Sequence, residues 1–324
     1  TIGGLTKLTR LAIYPNPITE LPASICELRN LESLTIMGTQ LRLLPDNIGA
    51  LIKLEQLMLS NNELIALPTS LGNCQELTSL SLERNKLEGL PNSIGRLVKL
   101  RNLRVTGKEK VLEGATGGLQ QLPDSLVYCT NLWDVAIERQ PQLDIDDVLT
   151  KLARLKSLFN LSLTECNISH LPAIPWKEVS WSMLNLHQNR LMELPVEILY
   201  APKLNVVSLW DNRLPDALNQ GFHDKEALRV GFVEAGLVPL ESLRKPNRRV
   251  TAAYQQIANQ KARTRDWSGA MTDLQKAIDY APDTILSLPY AHRASMHFFR
   301  REYADALADY DKAIEYAPML RKDK

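Results

Sequence analysis

The sequence predicts an α/β solenoid of stacked short units, with a parallel sheet on its concave face, followed by an all-α segment of helical hairpins. Three observations carry this. Leucines recur at fixed spacing up to about residue 214. Of 56 leucines, 51 fall in residues 1–250, whereas alanine supplies 14 of the last 74 residues. A 17-residue motif near the end recurs 36 residues later. Length suits about two domains, drawn as repeats over 1–214, a cap helix and basic linker over 215–250, and two hairpins over 251–324. No apolar run approaches the roughly 20 residues of a membrane helix. The net charge of +1, divided as −4 for 1–243 and +5 for 244–324, argues against bulk attraction to nucleic acid or membrane.

The first unit runs Leu8, Leu11, Ile13, Asn16, Ile18, Leu21, Pro22, Ile25, Leu28. Further units start at Leu31, Leu54, Leu77 and Leu100, a constant step of 23, then at Leu132, Leu158, Trp181 and Leu204. The steps into Leu132 and Leu158 are 32 and 26. Within each unit L-x-L alternates with period two, which predicts a short strand with its leucines inward. Eight residues after the start stand Asn16, Asn62, Asn85, Asn189 and Asn212. An amide side chain there can bond backbone groups where the chain leaves the strand. The L-P-x-x-I-G-x-L half returns along the convex side, and each unit buries about six apolar side chains only by stacking on its neighbours.

This pattern resembles the leucine-rich repeat family, in the 23-residue LP/IG variety of plant Ras-group-related and many bacterial proteins. The resemblance covers about residues 1–214 and implies a curved solenoid that binds other proteins on its concave face. Thr39, Lys108, Gln140 and Cys166 depart from the usual asparagine, and the sixth unit lacks the L-P pair. Ile2, Gly3 and Leu5 fit the tail of a preceding unit, so the chain reads as a fragment with further repeats upstream; the other reading is a degenerate natural terminus. After Leu214-Pro215, Asp224 can cap a helix that Gly236 ends, with Leu228, Phe232 and Ala235 on one face as a lid. The basic stretch 244–249 reads as a hinge, with nucleic-acid contact as its alternative.

In the alanine-rich segment, Ala270, Asp273, Lys276, Ala277, Ile278, Tyr280, Ala281 and Pro282 recur 36 residues on as Ala306, Asp309, Lys312, Ala313, Ile314, Tyr316, Ala317 and Pro318. Small residues at helical spacing let two helices approach closely, and proline ends the second. The segment resembles the tetratricopeptide repeat family, with hairpins over about 251–282 and 287–318. That resemblance implies a second protein-binding or docking surface.

Candidate chemistry is sparse. Cys74 and Cys129 occupy slots of buried leucines, Cys26 the slot of Gly49, Gly72 and Gly95, and Cys166 the asparagine slot, so repeat architecture accounts for all four cysteines. A reducing, cytoplasmic compartment is the simplest expectation. Histidines 170, 187, 223, 292 and 297 lack metal-ligand spacing. The glycine-rich stretch 114–118 lacks the lysine of a phosphate loop; it lies in an insertion whose Lys108 and Lys110 either contact a partner or belong to a flexible loop. The expectation is no enzyme, metal, cofactor, nucleic acid, membrane or small-molecule substrate.

The outward positions, two, four, six and seven residues after each start, mix small polar residues, methionines and charges of both signs. Arg, Tyr and Trp most often anchor protein interfaces, so the candidate partner-binding residues are Tyr14, Met37, Met58, Arg84, Arg104, Glu138, His187 and Trp210. The expected function is a non-catalytic interaction scaffold, an adaptor or a toxin-neutralising protein. The alternative is the recognition part of a larger enzyme or secreted effector.

Overall fold

The structure, a computed structural model, describes residues 1–108, 118–243 and 245–317. They divide into two compact units: Thr1–Leu214 with Asn219–Gly221, and Pro215–Leu218 with the chain from Phe222 onward.

The first unit is built on strands β1 (Arg10–Ile13), β2 (Ser33–Ile36), β3 (Gln56–Met58), β4 (Ser79–Ser81), β5 (Asn102–Thr106), β6 (Asp134–Glu138), β7 (Asn160–Ser162), β8 (Met183–Asn185), β9 (Val206–Ser208) and β10 (Gly221–Phe222). They form one sheet in chain order, and each neighbouring pair from β1 to β9 is parallel. Register follows the repeat: Arg10 pairs with Ser33, Ser33 with Gln56, and Gln56 with Ser79. The longer steps keep that register, Asn102 pairing with Asp134 and Asp134 with Asn160. The longer steps therefore leave the strand pairing unshifted, as it must be, since a one-residue slip would turn every leucine to solvent. The inward side chains Leu34, Leu57, Leu80, Leu103, Val135, Leu161, Leu184 and Val207 are at most 1% exposed. Each contributes about 1.5–3 kcal/mol.

The asparagines form a ladder that crosses units. The Asn62 amide donates to Leu59 O (2.9 Å) in its own turn and to Ile36 O (2.8 Å) one unit back. Its carbonyl oxygen accepts from Thr39 N at 3.1 Å. Asn85, Asn189 and Asn212 repeat the arrangement. Gln140 does part of the same work, accepting from Leu119 N at 2.6 Å, and the Cys166 thiol reaches Ile137 O at 3.2 Å. The residue before each of these side chains is the bend. Asn61, Arg84, Arg139, Glu165, Gln188 and Asp211 all have left-handed backbone, φ between 54° and 59°, and Gly38 stands there at 68°. The seventh position is thus the strand exit, a turn site rather than part of the flat face, and no composition rule predicts arginine, glutamate or aspartate in that conformation.

On the opposite side each Pro leads into a short 3-10 turn, such as Thr69–Asn73 and Asn92–Arg96. Successive turns touch at the I-G glycine, where a methyl group on Gly72 would collide with the Ser93 carbonyl oxygen. The sixth unit departs: an α-helix, α1 (Ile145–Leu152), replaces the turn. Asp144 caps it by accepting from Asp147 N at 3.1 Å, and Ile145, Val148, Leu149 and Leu152 are buried. Three extra residues and an L-D-I-D-D start without the L-P pair give the chain room and a capping residue for a full helix.

The second unit contains α2 (Lys225–Glu234), α3 (Arg248–Arg263), α4 (Trp267–Tyr280), α5 (Ser287–Phe299) and α6 (Tyr303–Glu315). Asp224 caps α2, accepting from Ala227 N at 2.8 Å, and Gly236 follows it with φ +71°. α3 starts inside the basic stretch read as linker, because Asn247 accepts from the Arg249 and Val250 amides (3.0 and 3.3 Å) and fixes its first turn. The 36-residue repeat is structural. Tyr254–Tyr280 and Tyr290–Tyr316 place their ring centroids 5.9 Å apart, and Arg265 and Arg301 both turn the hairpins at φ 65°. Buried Asp273 lies 2.7 Å from Lys261, and buried Asp309 lies 3.8 Å from His297, the residue 36 beyond Lys261. Tyr303, Leu307, Tyr310 and Ile314 form an exposed stripe along α6. The counterparts of Tyr310 and Ile314 on α4, Leu274 and Ile278, are buried, and those of Tyr303 and Leu307, Trp267 and Met271, are half-buried.

Candidate functional site

Because the strands are in register, outward side chains stack in columns about 4.8 Å apart. The fourth-position column reads Ala12, Thr35, Met58, Ser81, Arg104, Ala136, Ser162, Asn185, Ser208. From β6 to β9 it falls to small side chains, and there the sheet carries a depression of about 310 Å³. Ala136, Ser162, Asn185 and Ser208 lie in its lining. Around them stand Asp134, Asn160, Met183 and Val206 from the second-position column, with Arg104 and Glu138.

Charge in the depression is unevenly matched. Arg104 contacts the Asp134 carboxylate at 3.0 Å and Glu83 at 3.7 Å, so one guanidinium serves two acids. Asn160 also donates to Asp134, whose residue is 6% exposed. Glu138, half-buried, accepts from the Ser162 hydroxyl at 2.7 Å and has no basic partner among the described residues. Just outside, Arg139 pairs with Glu165 at 3.0 Å. At the strand entrances, in the positions before Asp134 and Asn160, Trp133 and Phe159 stack with centroids 4.9 Å apart and planes 4° from parallel. They remain 50% and 36% exposed, a large apolar surface held rigid and open to solvent.

The structure spreads the sequence candidates along the whole sheet, β1 to β9 spanning about 38 Å at 4.8 Å per strand. Arg104 and Glu138 line the depression. Tyr14 is exposed in the first unit, and Met37 and Met58 are half-buried on the same face. Arg84 is exposed but sits in the left-handed turn beyond β4, its amide bonded to the Thr106 hydroxyl at 2.9 Å. His187 is half-buried, its Nε2 3.8 Å from Asp211 and its Nδ1 without a hydrogen-bond partner among the described residues. Trp210 is exposed in the last unit, where a methyl group on Gly221 would meet its indole nitrogen at 2.9 Å. Lys108 contacts Glu63, which Lys86 also approaches at 2.8 Å; Lys110 lies outside the described residues.

Reading for large anchors passed over Asp134, Asn160, Ser162 and Met183, and the Trp133–Phe159 stack. Two aromatics in the same slot of consecutive units were the available signal for the stack. All four cysteines are free and buried. Burial pushes the thiols of Cys74, Cys129 and Cys166 up to about 12, which removes thiolate nucleophilicity near neutral pH. At the α5–α6 turn His297, Glu302 and Asp305 bring ligand atoms within 4.8 Å of one another, a group that linear spacing did not suggest. His297 there already contacts Glu302 at 2.7 Å, and Arg300 holds the other Glu302 oxygen at 2.8 Å.

Residues 76–97, the unit beginning at Leu77, match the Leucine Rich Repeat family model. Among solved structures the chain is similar to a leucine-rich repeat protein of Leptospira interrogans, with 28% identity and TM-score 0.41 over 66% of this chain and 63% of that one. It is also similar to the leucine-rich repeat domain of the type III effector XopL, with 26% identity and TM-score 0.55 over 64% and 71%. The functional domain of InlJ from Listeria monocytogenes aligns at 21% identity and TM-score 0.49 over 67% and 48%. The chain thus spans less than two thirds of the Leptospira and Listeria chains it resembles. No curated protein matches it significantly. The unit that the family model matches is repeated in one register along the sheet, so this part of the chain has the fold of a leucine-rich repeat solenoid.

Proposed function

We propose that the chain is a non-catalytic scaffold that binds a partner protein on the open face of its leucine-rich repeat sheet. The observation that carries this reading is the depression between β5 and β9 beside the exposed Trp133–Phe159 stack. Buried interface centres are rich in aromatics and arginine and need a concave recess that a partner side chain can fill. Tyr14, Met37, Met58, Arg84, His187 and Trp210 then form the outlying contacts, and Lys108 and Lys110 remain further candidates on their place in the sequence. The repeat is assigned to the 23-residue LP/IG type on its spacing, and the C-terminal hairpins to the tetratricopeptide type on the 36-residue structural repeat. The apolar stripe on α6 supports a second docking surface there. Four free buried cysteines are compatible with a reducing, cytoplasmic setting.

A second reading, the recognition part of a larger enzyme or secreted effector, is favoured by the likeness to the leucine-rich repeat domain of the type III effector XopL. A catalytic domain in the same reading frame decides between the two.

The test of the first reading is a comparative pull-down from the source cells. Arg104→Glu, Trp133→Ala and Trp210→Ala are set beside Tyr128→Ala, an exposed change on the opposite 3-10 turn (Asp124–Tyr128). Arg104→Glu removes the cation that holds Asp134 and Glu83 in place and sets three mutually repelling carboxylates together, which deforms the recess, and it is expected to reduce capture of the specific partner at least tenfold. Trp133→Ala is expected to do the same, Trp210→Ala less, and Tyr128→Ala not at all. If the three face variants keep every partner that the parent protein captures, the reading is wrong.

A further inference from the structure

We infer that the depression between β5 and β9 receives an arginine or lysine side chain of the partner protein, with Glu138 as its principal counter-charge. The inference rests on the sheet face being the protein-binding surface and specifies what that surface recognises.

Charge complementarity carries it. Among the described residues the lining holds one cation, Arg104, and two acids, Asp134 and Glu138. Arg104 is engaged by Asp134 and by Glu83, which lies just outside, and so is not available to Glu138. Among the described residues the half-buried Glu138 carboxylate is left with a single hydroxyl donor, although a carboxylate offers about four acceptor sites. A half-buried carboxylate in that position gains most from a charge-assisted donor brought from outside. The recess is the right shape for such a donor: about 310 Å³, floored by Ala136 and Ser162 and bounded by the Met183 side chain. Asp134 and Glu138 lie at opposite ends of β6, four residues or about 13 Å apart along the strand. An extended basic side chain can therefore lie along the floor between the two acids, its methylenes against Ala136 and Met183. The exposed aromatic stack at the strand entrances, at the far end of β6 from Glu138, adds apolar surface for partner residues that flank the basic side chain. A carboxylate-bearing or purely apolar side chain finds no such match, because either leaves Glu138 without a cation.

The experiment uses the whole protein labelled with ¹³C at its methionine methyl groups, and N-acetyl-arginine methylamide as the probe. Met183 is a reporter inside the recess, and its resonance is assigned by its loss in Met183→Leu. The Met183 signal is expected to move saturably with the arginine probe. The neutral isostere N-acetyl-citrulline methylamide, and the arginine probe on Glu138→Gln, should each bind at least tenfold more weakly. Glutamine can still accept from Ser162, so that variant removes the charge and keeps the fold; an unchanged methionine spectrum before titration confirms this. Equal responses to arginine and citrulline, an undiminished response in Glu138→Gln, or no saturable shift at all would each overturn the proposal. Because this readout needs no partner, its failure alongside loss of capture by Arg104→Glu would remove the cation recess and leave the binding face standing.

Discussion

Asn189→Ala is expected to cost about 3–5 kcal/mol, as much as truncating a fully buried leucine. Asn189 is 6% exposed and makes five hydrogen bonds to backbone groups of two units, one of them a weaker bond to His187 O at 3.2 Å. Its amide donates to Leu163 O at 2.7 Å and Leu186 O at 2.9 Å. Its carbonyl oxygen accepts from Cys166 N at 3.0 Å and Ile168 N at 3.1 Å. Alanine leaves two amides and two carbonyls unpaired in a dry stack, and an unsatisfied buried group costs about 1–3 kcal/mol; partial relaxation keeps the total below the simple sum. Since a solenoid's stability is a chain of nearest-neighbour terms, the loss falls on the units from β7 to β9. Urea unfolding followed by circular dichroism measures it, with Asn16→Ala as the control. Asn16 holds the same repeat position but is exposed, and its change should stay below about 0.5 kcal/mol. A loss below about 1 kcal/mol at Asn189 would contradict the ladder's role.

Gly72→Ala is the second large effect, with an expected cost of about 1–3 kcal/mol. The cause is packing between units and not backbone conformation, because Gly72 does not adopt left-handed φ. A methyl group there would meet the Ser93 carbonyl oxygen and come within 2.7 Å of the Ser93 Cβ. Neither atom belongs to the end of a flexible chain, so the two turns would have to separate. Gly49 faces Ser70 and Gly95 faces Ser125 in the same way. Gly89→Ala is the matched control: nothing lies within 4 Å of its added methyl. There the reduced freedom of the unfolded chain should leave stability unchanged or raised by up to about 1 kcal/mol. Thermal or urea unfolding of the pair separates the two explanations, and equal effects at Gly72 and Gly89 would contradict the packing account.

What the sequence disclosed and what it withheld follow from one distinction. Inward positions are constrained by stacking, so Leu57, Leu80 and Leu103 announce themselves by spacing, and the register survived even the steps of 32 and 26 residues. The asparagine ladder was legible for the same reason: a fixed backbone demand selects one residue type. The strand-exit bend was not, because Arg84, Arg139, Glu165 and Asp211 are held in left-handed backbone by the turn and not by their own preference. α1 was hidden because the sixth unit's missing L-P pair registers as a gap in the pattern, whereas Asp144 and the I-D-D-V-L face supply a helix in its place. The depression was hardest to foresee. A search for anchors weights large side chains such as Tyr14 and Trp210, but a recess is made where large side chains are missing, at Ala136, Ser162 and Ser208. Its chemistry comes from neighbours that pairing brings together, Arg104 beside Asp134 and Glu138 beside Ser162, across 24–30 residues of chain.

Hydroxyl-radical footprinting of the chain, alone and with its captured partner, tests the binding face most directly. Trp133, Phe159 and Met183 are exposed at or beside the depression, whereas Tyr128 and Met192 are exposed away from its lining. The predicted result is that the partner suppresses oxidation at Trp133, Phe159 and Met183 several-fold and leaves Tyr128 and Met192 at their free rates. Protection of Tyr128 and Met192 with unchanged oxidation at the other three would place the partner elsewhere and contradict the assignment.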